Sequence, residues 1–417
     1  MADHSKALVP IESWCYNSPE LLHQGIPIDL GLMAEALIYY DQILLNVSNQ
    51  PQFAAFLSWF IKQDKYPDLL SLFEEETIII YDYSFATGAV EKEGIYALLN
   101  IQDEIEKEEN TFERRYLYHK DIEACFPKRR DRQKLYKVLS GKVIEAKAAD
   151  FGPAIKNAKG DYHDVKLSCL LIQSFIDEIY PLLSLRDTPR IKAKIVENGN
   201  ISRTTCNVDF IKLARLLGSH LNFHLGTPLT AIGHCNRLLW TSNVQNCDLY
   251  LGKPMSNLAG NKLYEVGLKA VKSKEIIQSL RAQVEFPDIR SLINAGKLTF
   301  DDILRIRKKA KRFRVWLQQE GERDRNAIIA YHYEVAKEAG LTKFGRKSLS
   351  LFGIIGAPVA GTLIGKEISG DIGSSIGTLV GSGSAYLLNL ASKIGAGWKP
   401  IVFGNWLKDS IEKIIKK

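Results

Sequence analysis

The chain has 417 residues, of which 46% are hydrophobic and 25% charged, and it carries a formal net charge of +7. That length exceeds one ordinary core and implies two or three compact units, while the composition excludes a wholly disordered or collagen-like chain. The basic excess is modest and points to an anionic partner, either nucleic acid or lipid headgroups.

Six cysteines stand at positions 15, 125, 169, 206, 235 and 247 with no CxxC pair, a usage that suits a reducing compartment. The N-terminal MADHSKALVPIESW has no basic region followed by an apolar stretch, so it does not read as a secretory signal. The expectation is a cytoplasmic protein that associates conditionally with the inner membrane through its C-terminal end.

In chain order, Leu30 to Tyr40 (LGLMAEALIYY) predicts a helix, and Ile43 to Val47 and Thr77 to Tyr83 predict strands. Between those strands, Gln52 to Lys62 has a helical apolar face opened by Pro51. Strand, helix, strand with short joins predicts a small sheet covered by helices. The segment Gln102 to Asn110 (QDEIEKEEN) is acidic and reads as solvated.

From Lys128 to Leu183 the pattern is mostly helical, interrupted by Gly141, Gly152, Pro153 and Gly160, with Pro181 closing the apolar run LSCLLIQSFIDEIY. A strand-rich patch spans Ile191 to Asn207, with NGN as its turn. Helices are expected over Val208 to Leu217, Pro228 to Leu251 and Asn261 to Val284.

Leu298 to Gln319 predicts a basic amphipathic helix. Thr299 is placed to cap it, with Asp301 and Asp302 in the turn where acids suit the dipole. Ile303, Ile306, Ala310, Phe313 and Leu317 draw one apolar stripe at spacings of three and four. Arg305, Lys308, Lys309, Lys311 and Arg312 occupy much of the rest and are the expected anion-binding residues.

Every fourth residue from Gly353 is small: Gly353, Ala357, Gly361, Gly365, Ser369, Gly373, Gly377, Gly381 and Ala385. Glycine inside a helix costs about 0.5–1 kcal/mol relative to alanine, so such a run needs a compensating close approach of backbones, as between helices in lipid. A four-residue step drifts about 40° per repeat around a helix, which favours two short arms over one long one. Lys366 to Asp371 (KEISGD) supplies the turn. The first arm is short of the roughly 20 apolar residues of a span and contains Pro358, so conditional insertion is expected rather than a permanent span. Trp398 and Trp406 suit the headgroup level, and SIEKIIKK ends the chain as a cationic amphipathic turn. This C-terminal stretch resembles glycine-zipper and colicin-like hydrophobic hairpins, which implies helix packing in or on a membrane and self-association.

Val143 to Lys147 (VIEAK) resembles the Glu-x-Lys element of metal-dependent nucleases of the PD-(D/E)xK type. In that reading Glu145 and an upstream acid, Asp121 or Asp131, hold a divalent cation, and Lys147 stabilises phosphate charge; the plain reading is an amphipathic helix. His220, His224, His234, Cys206, Cys235 and Cys247 are of metal-ligating type but lack finger-like spacing, so no metal ligand is assigned. No Walker loop, dinucleotide fingerprint or GxSxG elbow occurs. No cofactor is expected, and the chain reads as a non-enzyme.

These readings give an α+β, predominantly helical protein. They place a mixed α/β domain at 1–127, a mostly helical domain with a short β patch at 128–297, the basic helical segment at 298–347 and the glycine-rich hairpin at 348–417. The expected function is a regulatory or sensor protein with a conditionally membrane-inserting, pore-forming module, a toxin-like or antiviral-defence effector. Its expected partners are an anionic membrane surface, further copies of itself and a regulatory protein. The alternative is a metal-dependent nuclease or nucleic-acid-binding protein that uses the glycine segment to oligomerise.

Overall fold

A computed structural model describes residues 5–12, 18–47, 50–83, 87–92, 95–100, 112–146, 151–185, 187–198, 201–217, 226–252, 255–256, 258–259, 262, 288–311, 314–315, 407 and 411–415. The chain divides into two compact units, Met1–Ala270 and Val271–Lys417.

In the first unit, β1 (Lys6–Pro10) is followed by α1 (Pro19–His23), α2 (Leu30–Tyr39) and β2 (Gln42–Val47). Then come α3 (Gln50–Lys62), α4 (Tyr66–Glu74) and β3 (Ile78–Tyr83). The hairpin strands β4 (Thr87–Lys92) and β5 (Ile95–Asn100) lead to a π-helical turn at Glu113–Leu117, α5 (Lys120–Cys125), α6 (Arg129–Leu139) and β6 (Val143–Ala146). Helices α7 (Gly152–His163) and α8 (Val165–Leu182) precede β7 (Ala193–Asn198), β8 (Ile201–Cys206), α9 (Phe210–Leu217), α10 (Gly226–Val244) and β9 (Asp248–Leu249).

Five strands form a sheet in the order β6-β3-β2-β1-β9, and every pairing in it is parallel. Its inner strands are near-continuous apolar runs, as a sheet covered on both faces requires: Ala7 to Val9, Ile43 to Leu45, Ile78 and Ile80 are buried. A second, antiparallel sheet runs β4-β5-β8-β7, its two hairpins joined through Tyr96 and Ser202. The fold is therefore α+β. The strands β6 and β9 lie beyond residue 127 and pair with strands before it, so the parallel sheet draws on both sides of the boundary expected at 127/128.

Helix α2 is buried along its whole length, including Glu35. Asp29 caps it by accepting from the Leu32 N–H at 2.9 Å, and Ser18 Oγ donates to the other carboxylate oxygen at 2.7 Å. Helix α10 is likewise buried all round from 231 to 238, which marks it as a central element and not a surface one. The expected helix over Pro228 to Leu251 ends at Val244, and the two residues of β9 then close the edge of the parallel sheet.

In the second unit, α11 (Ile289–Asn294) is capped by Asp288, and the turn through Gly296 (φ +68°) leads to α12 (Phe300–Lys309). Thr299 and Asp302 form a full capping box, as the sequence pattern implies. Ile303, Ile306 and Ala310 are buried, so the apolar stripe is real over its described length.

Candidate functional site at the carboxyl edge of the parallel sheet

Parallel strands all end at one edge, and in open α/β sheets ligands gather outside that edge where the strand order reverses. Here the order reverses at β1, which has β2 on one side and β9 on the other. The polar side chains past the strand ends are the place to look for chemistry.

Asp82 is the penultimate residue of β3, with no solvent exposure, and its register partners are Val47 on β2 and Glu145 on β6. Register partners in a parallel pair share a face, so two carboxylates stand side by side. A lone buried carboxylate would be costly. Asp82 is compensated by Arg115, whose Nη2 donates to Oδ2 and whose Nη1 lies 3.5 Å from Oδ1, and by the Tyr116 hydroxyl, which donates at 3.2 Å. The same guanidinium reaches Glu145 at 3.8 Å, and the Phe112 N–H donates to Glu145 at 3.1 Å.

Arg115 and Tyr116 are adjacent in sequence yet both address Asp82, because they sit on the π-helical turn, a rare element frequent at functional sites. An aromatic floor fixes that turn. Phe112 and Tyr116 stack at 4.5 Å between centroids, and Phe53 of α3 meets both rings edge-on at 5.6 and 5.5 Å. The Arg115 guanidinium also lies 5.5 Å from the Tyr116 ring centre.

Burial pushes the Asp82 carboxyl up to about 6; Arg115 and the Tyr116 hydroxyl oppose that shift, and the charge of Glu145 adds to it. Tyr116 is pushed upward too, first by burial and then by the Asp82 charge, with a smaller contribution from Glu12. Glu12 lies two residues beyond β1 at the same edge and is buried. On the other side of β1, Tyr250, just past β9, donates to Glu35 of α2 at 2.5 Å and packs edge-on against Tyr40. The Glu145 side chain is 46% exposed, so the cluster opens to solvent through it. Chemically, the cluster has a proton to exchange near pH 6 and one guanidinium shared between two carboxylates.

The sequence singles out Glu145 as the acid of an apolar-strand Glu-x-Lys element, with an amphipathic helix as the plain reading; Val143–Ala146 is strand β6 and not a helix, because Gly141 (φ +76°) turns the chain after α6 into pairing with β3. The acid brought to Glu145 is Asp82. Asp131 lies on α6, where its charge helps raise the Tyr66 hydroxyl, and Asp121 lies in the first turn of α5, 3.4 Å from His119. Lys147 lies outside the described residues. The sequence signal for Asp82 was an acid inside the apolar run TIIIYDY, where only a partnered carboxylate is tolerated.

Of the metal-ligating types, His220 and His224 lie outside the described residues. His234 and Cys235 are buried in α10. Arg237 donates to His234 Nδ1, which fixes the ring as the neutral tautomer protonated at Nε2, and burial followed by the Arg237 charge holds its pKa well below 6.5. Burial pushes the Cys235 and Cys247 thiols up to about 12. Among the described residues no group of three or more His, Cys, Asp or Glu side chains is placed to hold a metal ion. On the far side of α10, Asn236 donates to Asp161 at 2.6 Å and Lys262 pairs with the same carboxylate.

On α12, Arg305, Lys308 and Lys309 are exposed, as is Lys311 just beyond it; Arg305 pairs with Asp302, and Arg312 lies outside the described residues. The small-residue series from Gly353 to Ala385, Trp398 and Trp406 also lie outside them. Among the described residues no helix is long and apolar enough to cross a membrane. Compared with known proteins, the chain matches no family model, no curated protein and no solved structure.

Proposed function

We propose that this protein couples a cytoplasmic α/β regulatory or sensor body to a C-terminal module that inserts into the inner membrane on a trigger or on self-assembly. The insertion makes it a pore-forming, toxin-like or antiviral-defence effector. The observation that carries this reading is the series of nine small residues at every fourth position from Gly353 to Ala385, set among apolar residues. The exposed cations Arg305, Lys308, Lys309 and Lys311 precede that series and suit an anionic leaflet. The shared guanidinium at the carboxyl edge gives the body a balance of charge that a regulatory ligand or partner protein can tip.

The test uses full-length protein and anionic vesicles loaded with dye. The wild-type chain releases dye, whereas Gly377→Leu, which blocks backbone approach, does not. In cells, expression depolarises the membrane, and a chain stopped before Leu349 leaves it polarised. If the wild-type protein neither floats with the vesicles nor releases dye under any assembly condition, the reading fails.

The juxtaposition of Asp82 and Glu145 favours a second reading, the metal-dependent nuclease or nucleic-acid-binding protein. The residues do not fit a resident cation as they stand: Arg115 already occupies the space between the two carboxylates, and the donor set is only two. No catalytic step is derived through a metal. A Glu145→Ala, Lys147→Ala double variant with unchanged nuclease activity and toxicity removes this reading.

A further inference from the structure

The outer face of α6 contributes no side chain to the carboxyl-edge cluster. The helix buries Leu135 and Leu139. At about 100° per residue, Arg129, Arg130, Lys134 and Lys137 fall within an arc of roughly 140° on the side opposite those leucines. All four are exposed. Asp131, the acid of this helix, falls outside that arc, toward Tyr66. Arg132 is the cation that is tied down: it lies 3.1 Å from Glu123 and donates to the Phe126 carbonyl at 2.7 Å. Among the described residues the four outer cations make no ion pair or hydrogen bond.

This arrangement is unfavourable for the helix by itself. Arg130 and Lys134 are four apart and Lys134 and Lys137 three apart, like-charge spacings that destabilise a helix. Lys128, Arg129 and Arg130 sit at the N-terminal end, where the dipole disfavours cations. A bound polyanion removes both penalties at once. The face also carries Gln133 and the 38% exposed Tyr136, but no Leu, Ile, Val, Phe or Trp that could enter a bilayer. A cationic track with one aromatic ring beside it is the pattern of single-strand binding, in which phosphates are neutralised and a base stacks.

We infer that the outer face of α6 docks the backbone of a single-stranded nucleic acid, with Arg129, Arg130, Lys134 and Lys137 on phosphates and Tyr136 against a base. This surface belongs to the first unit, and its test reads oligonucleotide binding, not leakage. The two readings therefore stand or fall separately.

The experiment is fluorescence anisotropy of a labelled single strand of about 20 nucleotides and mixed sequence, titrated with full-length protein between about 50 and 200 mM salt. Each phosphate contact contributes about 0.7 to the slope of log affinity against log salt. The variant Arg129→Gln, Arg130→Gln, Lys134→Gln, Lys137→Gln should flatten that slope by about 3 relative to wild type. Lys308→Gln, Lys309→Gln, Lys311→Gln, on and just beyond α12, should not remove this difference. Tyr136→Ala should weaken binding by about tenfold with the slope unchanged. If the fourfold variant melts early, Lys137→Gln alone should still lower the slope by about 0.7. Equal binding by wild-type and fourfold variant, or no binding by wild type, overturns the inference. So does loss of phosphatidylglycerol vesicle binding in the fourfold variant when wild type ignores the oligonucleotide, which assigns the face to lipid.

Discussion

Two clusters of the first unit hold ionisable groups at low exposure and treat them differently. At the carboxyl edge, Asp82 is shared by Arg115 and Tyr116, and Arg115 also reaches a half-exposed Glu145. Around α10, Asp161 is matched by Asn236 and Lys262, and Arg237 donates to a neutral His234. A carboxylate matched by its own cation and amide leaves little for a ligand to redistribute, so the Asp161 group reads as scaffold. One cation between two carboxylates, one of them open to water, leaves a balance that can be shifted. That contrast makes the edge the candidate site.

Removing one partner of the edge pair is expected to have the largest effect. Asp82→Ala strands the mostly buried Arg115 with only Glu145 and should cost about 3–5 kcal/mol in urea unfolding. Asp161→Ala leaves Asn236 and a Lys262 that retains some solvent access, and should cost about 1–3 kcal/mol. A larger loss at Asp161 than at Asp82 would reverse the comparison.

Acidification should separate the two places by sign. The native Asp82 carboxyl holds its proton up to about pH 6, against an ordinary value of 3.8. The native state therefore binds more protons than the unfolded chain in that interval. Its contribution is full below the ordinary value and is lost as pH rises through about 6, on the order of 3 kcal/mol. His234 behaves oppositely: its pKa lies well below 6.5, so its contribution is present above 6.5 and lost as pH falls below it. Relative to wild type, Asp82→Asn should gain stability as pH rises from about 4 to 6, and His234→Gln should gain as pH falls below 6.5. Thermal melts across this range check both, and slopes of the same sign would undo the distinction.

Smaller effects sharpen the edge itself. Tyr116→Phe removes a hydroxyl that donates to Asp82 and should cost about 1 kcal/mol while raising the Asp82 pKa further. Glu145→Gln removes an exposed partner and should cost less than about 1 kcal/mol. It should also lower the Asp82 pKa, since the Glu145 charge raises it, and NMR titration of the Asp82 carboxyl reads that shift directly.

What the sequence determined by itself is local. The apolar run of α2, the amphipathic face of α3, the β-branched runs of β2 and β3, the β7–β8 hairpin and the Thr299 cap of α12 are all legible, because period and capping are properties of contiguous residues. The cationic face of α6 was equally present in the sequence, but without the burial of Leu135 and Leu139 nothing said which side faced water. The small-residue series from Gly353 remains a sequence feature. Tertiary structure alone decided β1, β6 and β9, which are too short to show a period and exist as strands only through pairing with neighbours. It also decided the site. Asp82 and Glu145 are far apart in the chain and meet only because β3 and β6 pair in one particular register, with Arg115 delivered by a π-helical turn from the segment between them. Register is fixed by hydrogen bonds between distant strands and by the face each must bury, and no window of adjacent residues contains that information.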